Sequence, residues 1–102
     1  MLNTEIMSVI NDEITQMGYK PFNIFDQIDR VKYVDVYHGD ICIAYYHITS
    51  DDTIVLREDV APTYNAEVRR YSLSQPNAVS LLARQIHEWT QGRLLRNRNV
   101  PK

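Results

Sequence analysis

The spacing of apolar residues changes twice along this chain, and that change most constrains its fold. Apolar residues recur every three or four positions over residues 2–17, at every second position over residues 31–57, and at three- to four-residue steps again over residues 79–89. The first and last patterns are typical of amphipathic helices, and the middle pattern is typical of half-buried strands. The sequence therefore predicts a helix, a sheet and a second helix.

Local signals predict where the two helices begin and end. Gly18 tolerates the positive φ that follows a last helical turn, so we expect the first helix to end near Met17. Ser74 is a candidate cap for the last helix, and Gly92 is its expected end. Residues 93–102 hold four bases and no acid, and we expect them to form a frayed basic tail.

The middle of the chain predicts an antiparallel meander. Turn-forming residues at 39–40 and 50–52 separate the candidate strands, which are residues 31–38, 41–49 and 53–57, with a fourth at 67–73. Phe22, Phe25 and Ile28 are spaced three residues apart, which is compatible with a short helical turn or with an extended edge segment.

Length and element order together indicate the fold class. A chain of 102 residues has the usual size of one domain, so we expect residues 1–102 to form a single compact domain. Two helices cover one face of a small antiparallel sheet economically. The prediction is an α+β fold with three or four strands and with the N-terminal and C-terminal helices packed on the same face.

Two-residue turns at 39–40 and 51–52 would fix the strand register and so divide the side chains between two faces. The inner face would be aliphatic and would contain Val34, Val36, Ile41, Ile43, Tyr45, Ile54 and Leu56. The outer face would be rich in tyrosine and would contain Tyr33, Asp35, Tyr37, Cys42, Ala44, Tyr46, Ile48, Val55 and Arg57.

The tyrosine-rich face is the main functional signal. Tyrosine loses little side-chain entropy on burial and is enriched at interface cores, so Tyr33, Tyr37, Tyr46 and Arg57 are the candidate partner-binding residues. Tyrosine also has a high strand propensity, and a half-wet face with no partner is the alternative. The first hypothesis is a protein-binding inhibitor or adaptor, a kind of small chain that viruses also encode.

The distribution of charge supports a second hypothesis, which is nucleic-acid binding. Residues 1–59 hold 11 acids and 4 bases, whereas residues 60–102 hold 2 acids and 7 bases. Phosphates would be neutralised by basic residues of the second part, for which the candidates are Arg69, Arg70, Arg93, Arg96 and Arg98. The acidic pI of about 5.8 argues against this hypothesis. A two-fold homodimer, closed by a sheet edge or by the tyrosine face, is compatible with either.

Motifs for catalysis, metals and cofactors are missing from the sequence. Three isolated glycines exclude a phosphate-binding loop, and no serine lies in a nucleophile elbow. His38 and Cys42 flank one turn but point to opposite faces in the expected register. We therefore expect a non-enzymatic protein without cofactor or metal. A single cysteine excludes an intramolecular disulfide and favours the reducing cytoplasm, and no apolar run is long enough for a membrane span.

Overall fold

A computed structural model describes the backbone of residues 3–99 and the side chains of residues 4–95. The elements follow the order helix, five strands, helix, with one short 3-10 helix before the last strand. They are α1 (Asn3–Gln16), β1 (Lys20–Asp26), β2 (Val31–His38), β3 (Ile41–Ile48), β4 (Thr53–Glu58), η1 (Thr63–Asn65), β5 (Val68–Ser72) and α2 (Ala78–Asn99).

The five strands form one antiparallel meander, in the spatial order β1-β2-β3-β4-β5. Both helices pack on the same face of this sheet, where Ile10 and Ile14 of α1 and Leu82 and Ile86 of α2 are fully buried. Removing such aliphatic side chains from water is the main stabilising contribution to a small domain. The predicted α+β class, with both helices on one face, is confirmed.

The strand count is five rather than three or four, and the additional strand is β1. The segment that holds Phe22 and Phe25 is the extended edge segment, not the helical turn. An edge strand is partly exposed on both faces, so its sequence lacks the alternation that identifies an interior strand. The predicted fourth strand at 67–73 exists as β5, between Val68 and Ser72.

Helix α1 ends where the sequence predicts. Gly18 has a φ of 93°, and its N–H donates to Thr15 O at 3.0 Å while the Tyr19 N–H donates to Ile14 O at 3.0 Å. These two bonds form a Schellman motif, which satisfies carbonyls that a helix end leaves without partners. The chain thereby reverses and enters β1.

Helix α2 differs from expectation at both ends. It begins at Ala78, and Asn77 O accepts its opening hydrogen bond from Leu81 N at 3.0 Å. Ser74 is therefore not the cap, and its hydroxyl instead pairs with Ser72 Oγ at 2.7 Å. At the other end the helix passes through Gly92 and continues to Asn99. The predicted helix end at Gly92 is thus wrong, and residues 100–102 of the predicted tail lie outside the described part.

A β-bulge in β3 changes the predicted register. Val36 pairs with Ala44 while Tyr37 pairs with Cys42, so Ile43 is an extra residue without a partner on β2. A bulge of this kind turns every later side chain of its strand to the other face. Ile43 and Ala44 are both buried as a result, and Tyr45 and Tyr46 exchange the faces that the sequence predicts.

The turn between β3 and β4 contributes a second register shift. Thr49 N donates to Thr53 O at 2.9 Å, which leaves three residues in the loop, and Asp52 has a φ of 60°. A three-residue loop with a left-handed last residue is a common hairpin. Because the loop is one residue longer than expected, Ile48 rather than Thr49 pairs with Ile54, and Ile48 packs against the core.

Among the described residues, no helix has both the length and the apolar character that crossing a bilayer requires.

Candidate functional site

The sheet face opposite the two helices, called the open face below, is the candidate site. All five strands contribute side chains to it, and most of these are half-buried rather than fully exposed. By the observed register its members include Phe22, Tyr33, Asp35, Tyr37, Cys42, Tyr45, His47, Arg57 and Arg70. Tyr33, Tyr37 and Arg57 lie on this face as the sequence predicts.

Tyr46 does not lie on the open face. Its side chain has no exposed surface and belongs to the core cluster beneath the helices. The phenol donates to Asn11 Oδ1 at 2.6 Å, and burial raises its pKa well above the usual range for tyrosine. The prediction that Tyr46 is an exposed partner-binding residue is wrong in its placement, because the bulge at Ile43 turns Tyr45 outward in its stead.

Aromatic rings on the open face are held against one another by the strand register. The Tyr33 and Tyr45 rings are 6.3 Å apart at 64°, and the Phe22 and Tyr37 rings are 5.1 Å apart at 68°. Both are edge-to-face arrangements, which aromatic quadrupoles favour. Lys20 Nζ lies 5.4 Å from the centre of the Phe22 ring. The rings of each pair are therefore packed against one another on the open face.

A groove of about 440 Å³ runs along the centre of this face. Its lining combines aromatic rings with two carboxylates, and the lining residues are Val31, Tyr33, Asp35, Tyr37, Cys42, Tyr45, His47 and Asp59. The bulge helps to shape one end, because the Asp59 N–H donates to Ile43 O at 2.9 Å. The groove is open to solvent.

Negative charge is concentrated in this groove. Partial burial raises the pKa of the Asp35 carboxyl above its usual range, and the nearby Asp59 carboxylate raises it further. Among the described side chains, the only ion pair within 4.0 Å joins Arg69 to Glu67, so neither groove carboxylate has a close cationic partner. A cation placed beside Asp35 would offset this repulsion and favour ionisation of its carboxyl.

Two further groups in the groove, Cys42 and His47, have shifted pKa values with different causes. Burial and the carboxylates of Asp59 and Asp35 raise the pKa of the Cys42 thiol to about 12, so the thiol stays protonated and is a poor nucleophile near neutral pH. Burial, together with the cations Arg57 and Arg70, lowers the pKa of His47 below 6.5. Neither group has the arrangement of an activated nucleophile with an adjacent base.

The basic residues of the second hypothesis do not share one surface. Arg69 and Arg70 are consecutive residues of β5 and point to opposite faces, and Arg69 pairs with Glu67 at 2.9 Å. Arg93 is used inside the fold, where its guanidinium donates to Cys42 O at 2.8 Å and to Asp59 O. The side chains of Arg96 and Arg98 lie outside the described residues.

Metal coordination has no support within residues 4–95, because no three His, Cys, Asp or Glu side chains there come together as a ligand set. His38 and Cys42 remain on opposite faces of the sheet, as expected, with Tyr37 as the cross-strand partner of Cys42. The chemistry available on the open face is therefore contact with rings, hydrogen bonding and charge pairing.

Sequence reasoning missed Tyr45, His47, Asp59 and Phe22 as members of the site. The two consecutive apolar residues Ile43 and Ala44 were the only available signal for the bulge that places Tyr45 and His47. Nothing in the sequence near Asp59 indicates that it lines the groove, because its position depends on the bulged carbonyl that it bonds.

Comparison with protein-family models finds no match for this chain, and comparisons with curated proteins and with solved structures find none either.

Proposed function

We propose that this chain is a non-enzymatic protein-binding module, an inhibitor or adaptor, that uses the open face to dock a partner with basic side chains. The observation that carries the proposal is an aromatic sheet face that neither helix covers within the described residues, and whose rings are in edge-to-face contact. Pre-positioned aromatic residues supply much of the binding energy at protein interfaces.

Charge complementarity supports the nature of the partner. Asp35 and Asp59 line the groove together with the rings of Tyr37 and Tyr45. A lysine or arginine side chain in this groove would pair with carboxylate and also contact the faces of the rings. The same two carboxylates would repel the phosphates of a nucleic acid from the groove, so the groove itself favours a protein segment over DNA or RNA. The single cysteine supports a reducing, cytoplasmic setting for this interaction.

Matched tyrosine variants test the proposal. The tagged full chain would be used to capture a partner from its native lysate, in parallel with the Tyr33→Ala/Tyr45→Ala variant and with Tyr64→Ala. Tyr64 is 85% exposed and does not line the groove, so it controls for the loss of a tyrosine alone. Truncating aromatic residues at the centre of an interface commonly costs about 2 kcal/mol or more, which is roughly thirtyfold in affinity.

We expect one defined protein to be retained at moderate salt by the wild-type chain and by Tyr64→Ala, and to be lost from the double variant. Addition of an arginine-containing peptide should displace that protein, and the matched citrulline peptide should not. Equal retention by all three chains would overturn the role of the open face. Recovery of nucleic acid that salt releases would overturn the proposal in favour of the second hypothesis.

A further inference from the structure

The free edge of β1 carries the largest exposed apolar side chains of the sheet. Phe22 is 44% exposed, Phe25 is 52% exposed, and Ile28 in the following turn is 92% exposed. β1 pairs only with β2, so one side of its backbone has no strand beside it. An apolar edge of this kind is a template for pairing with another strand.

The register shows which backbone groups of β1 point away from the sheet. His38 and Ile41 flank a two-residue turn whose first residue, Gly39, has a φ of 61°, so they form a hydrogen-bonded pair. Because bonding direction alternates along a strand, the odd-numbered residues of β2 bond β1. The outward positions of β1 are then Pro21, Asn23 and Phe25. Proline fits there because an outward position needs no N–H donor within the sheet.

The sequence of β1 is complementary to itself in one antiparallel register. When two copies of the strand are paired about Asn23, Lys20 of each copy faces Asp26 of the other. Phe22 then faces Ile24 on the open face, and Pro21 faces Phe25 on the helix face. Moving the register by two residues in either direction separates the opposite charges. Opposite charges directly across an antiparallel pair are stabilising.

We propose that a second copy of this chain is the partner of the β1 edge, so that two copies form one continuous ten-stranded sheet with two-fold symmetry. Asn23 N–H groups bond Asn23 carbonyls, and Phe25 N–H groups bond Pro21 carbonyls, which gives about four backbone hydrogen bonds across the interface. This inference does not depend on the proposed function.

The two-fold symmetry of the proposed dimer also determines where the two grooves lie relative to each other. In antiparallel pairing the two-fold axis is perpendicular to the sheet, so both open faces point the same way and all four helices lie on the other side. Five strand spacings separate β3 of one copy from β3 of the other, which is roughly 24 Å at the usual spacing between neighbouring strands. A dimer therefore presents two acidic, aromatic grooves side by side on one surface.

The opposite edge of the sheet is unsuited to the same pairing. Glu58 N donates to Glu67 O at 2.9 Å, so the odd-numbered residues of β5 bond β4 and Val68, Arg70 and Ser72 point outward. Self-pairing about Arg70 would place two guanidinium groups directly opposite each other, which is destabilising. In the register centred on each strand, charge therefore favours self-pairing at the β1 edge over the β5 edge.

Proline variants at the two edges test the location of the interface. We would measure the mass of the full chain by sedimentation equilibrium over a concentration series, for the wild type, for Asn23→Pro and for Arg70→Pro. Each substitution removes one outward N–H from its edge strand. We expect a dimer for the wild type and for Arg70→Pro, and a monomer with an unchanged circular dichroism spectrum for Asn23→Pro.

Charge variants test the register and remain informative if a proline variant fails to fold. Lys20→Glu and Asp26→Lys each place like charges across the interface, and we expect each alone to dimerise at least tenfold more weakly, as an order of magnitude. An equimolar mixture of the two restores both opposite-charge pairs and should recover a heterodimer. A wild-type chain that stays monomeric at every concentration, or charge variants that dimerise as well as the wild type, would overturn the proposal.

Discussion

Tyr45 and Tyr46 are neighbours in the chain, yet they lie on the two faces of the sheet and have opposite environments. Tyr46 is fully buried under the helices, with its phenol bonded to Asn11. Tyr45 is half-buried on the open face, against Tyr33 and at the rim of an acidic groove. A tyrosine in a strand can therefore lie in the core or at the surface, and its residue type alone does not determine which. One inserted residue, Ile43, makes that assignment here.

The largest expected effect on stability is that of truncating Tyr46, and truncating Tyr45 is its matched comparison. Tyr46→Ala removes a buried ring and should lower the free energy of unfolding by roughly 3–5 kcal/mol, as large aromatic truncations in cores do. Tyr45→Ala should cost less than about 1 kcal/mol, because its ring already contacts solvent. Urea unfolding of the two variants measures both values. Similar losses for the two would contradict the bulged register.

The second prediction concerns Arg93, which connects helix α2 to the end of the groove on the open face. It lies on α2, on the closed side, but its guanidinium donates to the carbonyls of Cys42 and Asp59 at the end of the open groove. Hydrogen bonds from a charged donor contribute roughly 1.5–3 kcal/mol, so we expect Arg93→Ala to lower the free energy of unfolding by about that amount. Arg84→Ala, which removes an exposed arginine of the same helix, should have little effect.

An unchanged unfolding curve for Arg93→Ala would show that this arginine does not anchor α2. Arg93 would then again be a candidate for binding phosphate, as the nucleic-acid hypothesis has it. The urea measurement therefore separates a structural arginine from one that is free to bind phosphate, without any knowledge of the partner.

The closed face was largely predictable from the sequence, and the open face was not. Val34, Val36, Ile54 and Leu56 are buried as their alternation predicts, because burial of an aliphatic face is itself the cause of the two-residue period. The helices follow for the same reason. The closed face and the helices are both predicted by a spacing of apolar residues that recurs over many positions. One local irregularity leaves most of that spacing intact.

The open face depends on single positions without a repeating signal. The bulge at Ile43 and the third loop residue, Asp52, each shift the register by one residue, and neither follows from the alternation of apolar residues. Strand β1 was ambiguous because an edge strand needs no apolar alternation. Five of its predicted members, Tyr33, Asp35, Tyr37, Cys42 and Arg57, nevertheless lie on the open face, because they precede the irregularities or lie on strands that those do not shift.

The smallest expected effect is a pH dependence of stability that comes from His47, whose pKa reports how strongly the open face is desolvated. Burial and the cations Arg57 and Arg70 lower its pKa below 6.5. The unfolded chain therefore takes up this proton first as the pH falls, so the stability that is fully present above pH 6.5 is lost as the pH drops below that value. Because the chain holds two further histidines, the informative quantity is the difference between the wild type and His47→Gln.

Urea unfolding between about pH 5.5 and 7.5, a range centred on the ordinary pKa of histidine, measures this difference. We expect the wild type to lose more stability than His47→Gln on acidification, and Arg70→Gln to lose an intermediate amount, because it removes one of the two cations that disfavour the imidazolium. The raised pKa of Asp35 acts in the opposite direction, because the folded chain takes up that proton first, and this contribution is common to the wild type and His47→Gln. Identical slopes for the wild type and His47→Gln would mean that His47 is solvated like a histidine in an unfolded chain, and the open face would then be a simple wet surface rather than a partly desolvated groove.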